Sequence, residues 1–417
     1  MTNKNEQRKV PELRFPEFRG EWKENKLKDL TLLIKDGSHG THKDVETGPW
    51  LLSAKNIKNN KINIDNNDRK ISIDDYETIY RNYTLIKNDI LLSIVGTIGR
   101  TALVENEENI AFQRSVAIIR PNKILTSTFL IQLMNGKRFQ KDLKKYQVIS
   151  AQPGIYLGDL NKLSISFPDK NEQQKIGEFF SKLDRQIELE EKKLALLEEQ
   201  KKGYMQKIFS QELRFKDENG EEYPEWEEVV IKDVFEMEKG YGMTKELLDK
   251  EGINSCVLYG ELFTTYNEVI DNIVSKTNYS EGRLIESECI IFPNSTTTKA
   301  IDLVTFSSLN NLKCYIGGDI TILYPKKLTE INTIYMAYYL TNYQKIKKEI
   351  SKHAQGITIV HLNFNSFKNI KISIPIIEEQ IKIAKLLEKI DLNIKFKKNR
   401  INYLKVRKKS LLNRLFI

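Results

Sequence analysis

One segment of this sequence occurs twice. Glu172–Phe209 recurs without a gap, at a constant offset of 207 residues, as Glu379–Phe416. The Glu-Gln, Lys-Ile and Lys-Lys pairs and the closing Phe are the same in both copies. The opening of each half is copied as well, since Glu12–Phe15 returns as Glu212–Phe215. A match of this length predicts an internal tandem duplication of whole halves.

Apolar residues in each copy follow a heptad pattern. They recur at alternating steps of three and four, apart from two gaps, over about five heptads, which is typical of a coiled-coil seam. The predicted seam residues are Ile176, Phe180, Leu183, Ile187, Leu194 and Leu197 in the first copy, continuing to Tyr204 and Ile208, and Ile383, Leu387, Ile390, Ile394, Ile401, Leu404, Leu411 and Leu415 in the second. Pro168 and Pro375 precede the two segments, and neither segment contains a proline. Each copy therefore predicts one continuous helix of about 58 Å.

These seams need a partner surface. Each helix could pack on its own globular neighbour, or the chain could dimerise through the helices. If the two copies instead pack on each other with paired positions that sum to 591, Ile176 faces Leu415 and no like charges meet in the seam. A parallel register would place Lys201 against Lys408. We therefore predict an antiparallel coiled coil, with two equivalent globular units at its ends related by pseudo-two-fold symmetry.

The predicted fold class is α/β, in the mixed α+β sense. Short apolar strands such as Ile90–Val95 and Val116–Ile119 alternate with helical stretches in each half. The duplication divides the chain into four parts. They are a globular domain at 1–170, a helix at 171–210, a second globular domain at 211–376 and a second helix at 377–417.

Composition limits the class of protein. Of the 417 residues 40% are hydrophobic, and no uninterrupted apolar run approaches the ~18 residues of a membrane helix. Met1–Val10 is polar and lacks the apolar core of a signal peptide. The cysteines (Cys256, Cys289 and Cys314) are odd in number and scattered, which favours a reducing cytoplasm over a disulfide framework or zinc site.

The charge balance is basic. The formal net charge is +9, and the second repeated helix carries most of the excess, with 4 acidic and 12 basic residues over 378–416. A basic helix face is usually only solvated, but it also suits a phosphate backbone. Charge alone therefore permits nucleic-acid binding without requiring it.

Polar loops next to apolar strands are the best candidates for a binding surface. In the first half they are Lys35–Lys43, Gly96–Arg100 and Gln113-Arg114, and Asp-Gly pairs of this kind are also common in ordinary turns. In the second half, Gly240–Gly242 and Asn294–Lys299 have no clear counterparts in the first. The candidate DNA-binding residues are Lys35, Ser38, His39, Thr41, His42, Lys43, Thr97, Arg100, Gln113, Arg114, Gln152, Lys239, Tyr241, Thr244, Tyr259, Ser295, Thr296, Thr297, Lys299 and Gln355. Their amide, hydroxyl and cationic groups are those that contact base edges and phosphates.

Motifs for catalysis are missing from the sequence. It has no G-x-x-x-x-G-K-[ST] loop, no H-E-x-x-H and no Asn/Asp-Pro-Pro-aromatic tetrapeptide of the kind that amino-methylating enzymes use. Pro168-Asp169 followed by Glu172 starts like a nuclease metal site, but Gln174 stands where a lysine is needed. We predict no catalytic residue and no metal ligand, and interpret the chain as a binding subunit.

The layout resembles the specificity subunits of Type I restriction-modification systems. The resemblance covers essentially the whole chain and depends on the repeated Pro168…Glu172-Gln173…Asp184 and Pro375…Glu379-Gln380…Asp391 segments. Asp36-Gly37-Ser38-His39 and Gln113-Arg114 support it. It implies two target recognition domains, separated by an antiparallel helix pair, that read the two halves of an asymmetric double-stranded DNA site.

The same resemblance implies partners and cofactors. Two modification subunits carrying S-adenosylmethionine would methylate adenine, and restriction subunits using ATP and magnesium would join for cleavage. This chain would hold no cofactor itself, and no membrane is involved. Helix length would set the spacer between the half-sites. The alternative is a duplicated coiled-coil adaptor that binds other proteins without DNA specificity.

Overall fold

Two compact units make up the protein. The computed structural model describes residues 9–148, 153–310 and 312–417. Unit 1 contains Met1–Glu191 together with Asn399–Ile417, and unit 2 contains Lys192–Lys398. Each long helix therefore contributes one half to each unit.

Unit 1 is built on short strands and helices that precede a long helix. Its elements in chain order are β1 (Lys23–Lys26), β2 (Thr31–Asp36), β3 (Trp50–Leu52), β4 (Ile57–Lys58), β5 (Lys61–Ile62), α1 (Ile73–Ile79), β6 (Ile90–Ser93), β7 (Thr101–Leu103), β8 (Ile110–Phe112), β9 (Val116–Pro121), α2 (Ser127–Asn135), α3 (Lys137–Lys145), α4 (Leu157–Leu160), β10 (Ser164–Phe167) and α5 (Lys170–Phe209). Short 3-10 turns lie at Leu27–Leu30 and Ala54–Asn56.

The central sheet of unit 1 has apolar packing on both faces. Its strand order is β2-β9-β6-β7, with each neighbouring pair antiparallel. In β6, Ile90 and Leu92 point into one buried cluster, whereas Leu91 points into another. The period-2 alternation of a strand sends successive side chains to opposite faces, so a continuous apolar run marks a strand that is covered on both sides.

Unit 2 repeats this plan. Its elements are β11 (Glu227–Val230), α6 (Ile231–Val234), β12 (Phe235–Lys239), β13 (Asn254–Val257), α7 (Glu261–Thr264), β14 (Val269–Ile270), β15 (Ser275–Thr277), β16 (Arg283–Ile285), β17 (Cys289–Pro293), β18 (Ser295–Thr296), β19 (Ser307–Leu309), β20 (Cys314–Ile316), β21 (Ile320–Pro325), α8 (Thr333–Asn342), α9 (Gln344–Lys352), β22 (Ala354–Gln355), β23 (Val360–Leu362), α10 (Phe364–Phe367), β24 (Lys371–Ile374) and α11 (Ile377–Leu415), with 3-10 turns at Lys245–Leu247 and Ala300–Leu303. Its main sheet has the order β12-β21-β17-β19-β14.

The two long helices pack antiparallel within each unit. In unit 1, Ile176 and Phe180 of α5 share a buried cluster with Leu412 and Leu415 of α11. In unit 2, Ile208 from the far end of α5 shares a cluster with residues from the beginning of α11, which are Ile383, Ala384 and Leu387. The start of each helix thus meets the end of the other, and the predicted antiparallel pair is confirmed.

The seam residues differ in their burial. Ile176, Phe180, Ile187, Ile383, Leu387, Ile390, Ile394, Ile401, Leu404 and Leu415 are buried, and Leu183, Leu194, Leu197 and Leu411 are half-buried. The extension of the first seam to Tyr204 is wrong, because its side chain is 44% exposed while that of Met205 is 4% exposed. After Leu197 the inward positions advance by four to Lys201 and again by four to Met205. A helix of 3.6 residues per turn drifts from a strict heptad of 3.5, and a second consecutive step of four absorbs the drift.

Each long helix has one inward lysine, Lys201 in α5 and Lys408 in α11, that pairs with an aspartate of the other helix. Lys201 lies 2.7 Å from Asp391 in unit 2, and Lys408 lies 2.5 Å from Asp184 in unit 1. The aspartates also accept hydrogen bonds from the globular domains, from Tyr338 in unit 2 and from Gln132 in unit 1. The gaps of the heptad pattern at Lys201 and Lys408 are therefore equivalent junctions between the helix pair and a domain.

The repeated Glu-Gln pair fixes the start of each long helix. In unit 1, the carboxylate of Glu172 accepts two hydrogen bonds from the guanidinium of Arg14, at 2.8 and 2.6 Å. The amide of Gln173 accepts from the backbone N–H of Thr126, which caps α2, and donates to the carbonyl of Pro168. Burying a charge costs free energy unless it is paired and hydrogen-bonded, which explains why these residues recur together.

Unit 2 has the same arrangement in a less complete form. Arg214 donates a 2.9 Å hydrogen bond to Glu379, and the indole N–H of Trp226 donates to the same oxygen at 3.2 Å. Gln380 accepts from the backbone N–H of Asn332 and donates to the carbonyl of Pro375. The duplicated sequence motifs thus become duplicated contacts.

Within the described ranges, no helix is both long and apolar enough to cross a bilayer. Among the same residues, no cluster of three or more His, Cys, Asp or Glu side chains could hold a metal ion. Cys256, Cys289 and Cys314 are buried free thiols, and burial raises the pKa of Cys256 to about 11 and that of Cys314 to about 12.

Candidate nucleic-acid interface

In unit 1, three of the predicted loops emerge at the same end of the central sheet. Asp36 at the end of β2 pairs with Ala117 near the start of β9. Ser93 at the end of β6 pairs with Val116 of the same strand β9. Because both neighbours of β9 run antiparallel to it, the loop after β2, the loop before β9 and the loop after β6 lie together at one end of the sheet.

Backbone contacts join two of these loops directly. The N–H of Ser38 donates to the carbonyl of Phe112 at 2.7 Å, and the N–H of Arg114 donates to the carbonyl of Ser38 at 2.9 Å. Gly37 lies so close to the backbone of Phe112 and Gln113 that any Cβ there would collide with both carbonyl oxygens. The Asp-Gly-Ser-His motif and the Gln-Arg pair are therefore one structural feature, and Gly37 permits their close approach.

Two histidine–carboxylate pairs organise the first loop. His39 Nε2 lies 2.5 Å from Asp36 Oδ2, on the exposed side of the loop. His42 is half-buried, and its Nδ1 lies 2.9 Å from Asp75 Oδ1 while its Nε2 lies 2.6 Å from Ser38 Oγ. The hydrogen bond from His42 is the main cause of a lowered pKa for the Asp75 carboxyl.

The predicted residues of unit 1 differ in accessibility. His39, Thr41, Lys43, Thr97, Arg100 and Arg114 are exposed, whereas Lys35, Ser38, His42 and Gln113 are partly covered. The ammonium of Lys35 lies 4.6 Å from the ring centroid of Tyr83, a phenol whose pKa is raised to about 12 by burial and by the nearby Asp36. Gln152 lies outside the described residues. The exposed cations are the groups best placed to contact phosphates.

Unit 2 places its loops by the same strand pairing. Lys239 at the end of β12 pairs with Thr321 of β21, and Pro293 at the end of β17 pairs with Ile320 at the start of β21. Gly240 approaches the carbonyl of Gly317 as closely as Gly37 approaches Phe112. The loops of unit 2 thus have structural counterparts in unit 1, although their sequences share no recognisable pattern.

The predicted residues of unit 2 divide into two groups. Lys239, Tyr241, Thr244, Tyr259, Thr297, Lys299 and Gln355 are exposed. Ser295 and Thr296 are buried in β18, where they pair with His361 and Val360 of β23. Neither side chain has more than a small exposed surface available for a base contact. Lys239 lies over the ring of Phe364, with its ammonium 4.7 Å from the ring centroid.

The structure adds residues that the sequence did not suggest. The segment Gly317–Asp319 precedes β21 at the place where Gln113–Ser115 precedes β9 in unit 1. His361 is exposed on β23, between Ser295 of β18 and Gln355 of β22. No motif marks either of them. Only the shared strand topology identifies them as neighbours of the candidate loops.

Comparison with known proteins follows the same twofold division. The family model of the Type I restriction modification DNA specificity domain matches residues 20–199 and again residues 223–406. This chain belongs to that family. The role of the family is DNA sequence specificity, and its two matches agree with the two target recognition domains predicted from the repeat.

Individual relatives agree with this assignment. A Methanocaldococcus jannaschii protein assigned as the MjaX specificity subunit is 26% identical over 408 residues, covering 95% of this chain and 92% of the relative. The MjaVIII specificity subunit of the same organism is 25% identical over 355 residues, covering 79% and 78% of the two chains. A crystal structure of a Type I system S subunit from M. genitalium has the same fold, with a TM-score of 0.59, 17% identity, and coverage of 98% and 99%.

Proposed function

We propose that this chain is the DNA-recognition subunit of a Type I restriction-modification complex and that each domain reads one half of a bipartite, asymmetric site. The observation that supports this most directly is the repeated cluster of loops at one end of each central sheet. The scaffolds are equivalent, but the loop side chains differ between units. Two different surfaces on one scaffold are what the recognition of an asymmetric site requires.

The side chains in these loops divide naturally into two roles. Lys43, Arg100 and Arg114 are exposed cations that would contact phosphates and give salt-dependent affinity. Amide and hydroxyl groups such as those of Gln113 and Ser38 would discriminate bases, at about 1–3 kcal/mol for each good contact. Affinity and specificity therefore depend on different residues of the same surface.

Partner subunits would supply the chemistry. We propose that two methyltransferase subunits with S-adenosylmethionine modify adenine and that restriction subunits with ATP and magnesium cleave. Exposed apolar residues on α11 support docking of partner proteins. They are Leu392 and Phe396 in unit 2 and Tyr403 and Val406 in unit 1.

Methylation mapping tests the proposal. Genomic adenine methylation should be sequenced in cells that express the partner subunits with and without this chain. We expect a bipartite motif that disappears when the chain is absent. Methylation of the same motif without the chain, or a complex with no affinity for any specific duplex, would contradict the proposal and favour the adaptor alternative.

A cation at the loop cluster should contribute to affinity through a phosphate. We expect Arg114→Ala to weaken binding of all duplexes and to reduce the slope of log K against log salt concentration by about one. Lys87→Ala is the matched control, because Lys87 is exposed in unit 1 but precedes the opposite end of β6. Titrations by fluorescence anisotropy at several salt concentrations measure both. An unchanged slope in Arg114→Ala would remove this residue from the interface.

The proposed spacing role of the helices gives a separate prediction. One added heptad lengthens a helix by about 10 Å, equivalent to about three base pairs at 3.4 Å per step. Inserting seven residues after Glu191 and seven after Lys398 keeps the heptad phase of both helices. We expect methylation mapping to show a spacer longer by about three base pairs, with both half-sequences unchanged. Altered half-sequences with an unchanged spacer would disprove the spacing role.

A further inference from the structure

Ser38, His42 and Asp75 form a continuous hydrogen-bonded chain in the recognition loop of unit 1. Ser38 Oγ lies 2.6 Å from His42 Nε2, and His42 Nδ1 lies 2.9 Å from Asp75 Oδ1. The side chain of His42 is 8% exposed. The backbone N–H of Gly40 also donates to Ser38 Oγ, at 3.1 Å. One serine hydroxyl at the candidate interface is therefore held by two other groups.

The positions of the protons follow from the donor and acceptor properties of these groups. The pKa of Asp75 is lowered, so its carboxylate is ionised and can only accept, which places a proton on His42 Nδ1. In the neutral imidazole Nε2 is then the acceptor, and the hydroxyl of Ser38 donates to it. Since Gly40 N–H occupies one lone pair of Ser38 Oγ, the other lone pair is the only group that remains for a ligand.

We propose that this chain of hydrogen bonds makes Ser38 a specificity-determining residue, which accepts a hydrogen bond from an exocyclic amino group of DNA. In the major groove the amino donors are N6 of adenine and N4 of cytosine. Guanine N7 and O6 and thymine O4 are acceptors, and a hydroxyl without a free proton cannot bind them. The inference rests on the proposed function, and it assigns the kind of base that Ser38 selects in one half-site.

Protonation of His42 reverses this selection. When Nε2 carries a proton it donates to Ser38 Oγ, and the serine O–H becomes free to donate to guanine or thymine. The charged groups that bear on His42 are Asp75 on α1, which attracts the imidazolium, and Arg69, which donates to the carbonyl of His42 and pairs with Asp44.

Unit 2 provides an internal comparison. Gly240–Gly242 follows β12 where Gly37–His39 follows β2, and no histidine lies in that segment. A base position read by that segment should therefore keep its preference when the pH changes. A general effect of pH on the complex would instead alter both half-sites.

The test uses the full chain with its partner subunits and duplexes that carry the mapped site or its single-base-pair variants. At pH 8.5 we expect one position of one half-site to prefer an amino-bearing base by roughly 5- to 150-fold, the range of a good base-edge contact. At pH 5.5 this preference should be lost or reversed at that position only. Unchanged preferences at both pH values would overturn the proposal, and this measurement needs no substitution.

Variants show whether the Ser38–His42–Asp75 hydrogen-bonded chain, and not a general effect of pH on the complex, causes the base preference. Ser38→Ala should abolish the preference at that position, while Ser38→Thr, which keeps the hydroxyl, should restore it. Asp75→Asn, whose amide can donate to Nδ1, should shift the preference at pH 8.5 towards that seen at pH 5.5. His353→Asn is a control for a histidine beside a carboxylate in unit 2, where His353 lies 3.7 Å from Glu349, and it should leave the preference at that position unchanged.

The two levels of the proposal fail in different ways. If sequence-specific binding is unchanged by Ser38→Ala and by pH, the recognition function stands and the proposed role of the Ser38–His42–Asp75 chain is wrong. Absence of sequence-specific binding by the intact complex would overturn the recognition function itself.

Discussion

Arg14→Ala should destabilise unit 1 by about 3 kcal/mol, because it leaves a buried carboxylate without its partner. Glu172 has no exposed side-chain surface, and Arg14 supplies both of its short side-chain hydrogen bonds. Water can reach part of the Arg14 site, so the loss should lie at the low end for buried ion pairs. Denaturant unfolding followed by tryptophan fluorescence, to which Trp22, buried in the same unit, contributes, measures the effect.

Two comparisons show whether burial is the cause. Lys371→Ala removes an ion pair with Glu228 whose side chains are both largely exposed, and it should change stability by less than about 1 kcal/mol. The double variant Arg14→Met with Glu172→Leu removes both charges, and it should recover most of the lost stability. A double variant as unstable as Arg14→Ala would show that lost packing dominates over the unpaired charge.

Phe209→Ala should cost about 3–5 kcal/mol in unit 2, since it removes a large aromatic side chain from a closed core. Phe209 is 2% exposed and packs against the rings of Tyr335, Tyr339 and Tyr343. It is the last residue of α5, so its ring ties the end of this helix to the domain of unit 2. Loss of this contact should weaken the packing of the end of α5 against its domain and lower the free energy of unfolding of unit 2.

The control for this variant is another phenylalanine of the same unit. Phe396 on α11 is 66% exposed, and Phe396→Ala should change stability by less than about 0.5 kcal/mol. Limited proteolysis of the two variants, followed at the segment after Phe209, gives a second measurement. Similar stability losses in both would contradict the role assigned to the Phe209 ring.

The helices could be predicted well because their information is local. Heptad spacing and the prolines before each repeat predict a long helix with a defined inward face. The error at Tyr204 arose where Lys201 takes an inward position, because a lysine was treated as a gap in the seam. Lys201 and Asp391 each recur at the repeat offset, as Lys408 and Asp184. That shared recurrence was a signal for the reciprocal ion pairs, but the contact itself appears only when the helices are docked.

The recognition surface was predictable only in part. The polar loops of unit 1 could be selected by their composition, but their convergence depends on β9 lying between β2 and β6. Strand order joins residues far apart in sequence, and no local pattern encodes it. For the same reason the burial of Ser295 in β18 was not foreseen, because the pairing with β23 requires a segment about 65 residues later.

Unit 1 consists of two separate stretches of the chain, and this affects the order in which the units fold during synthesis. Leu412, Leu415 and Phe416 complete its buried cluster, yet they are translated after all of unit 2. Unit 2 is one continuous stretch, so every residue it needs has been made when translation reaches Lys398. During elongation, unit 1 therefore remains incomplete with part of its hydrophobic core exposed, while unit 2 already has all the residues it needs to fold. Folding on the ribosome should finish in the reverse of the order in which it starts.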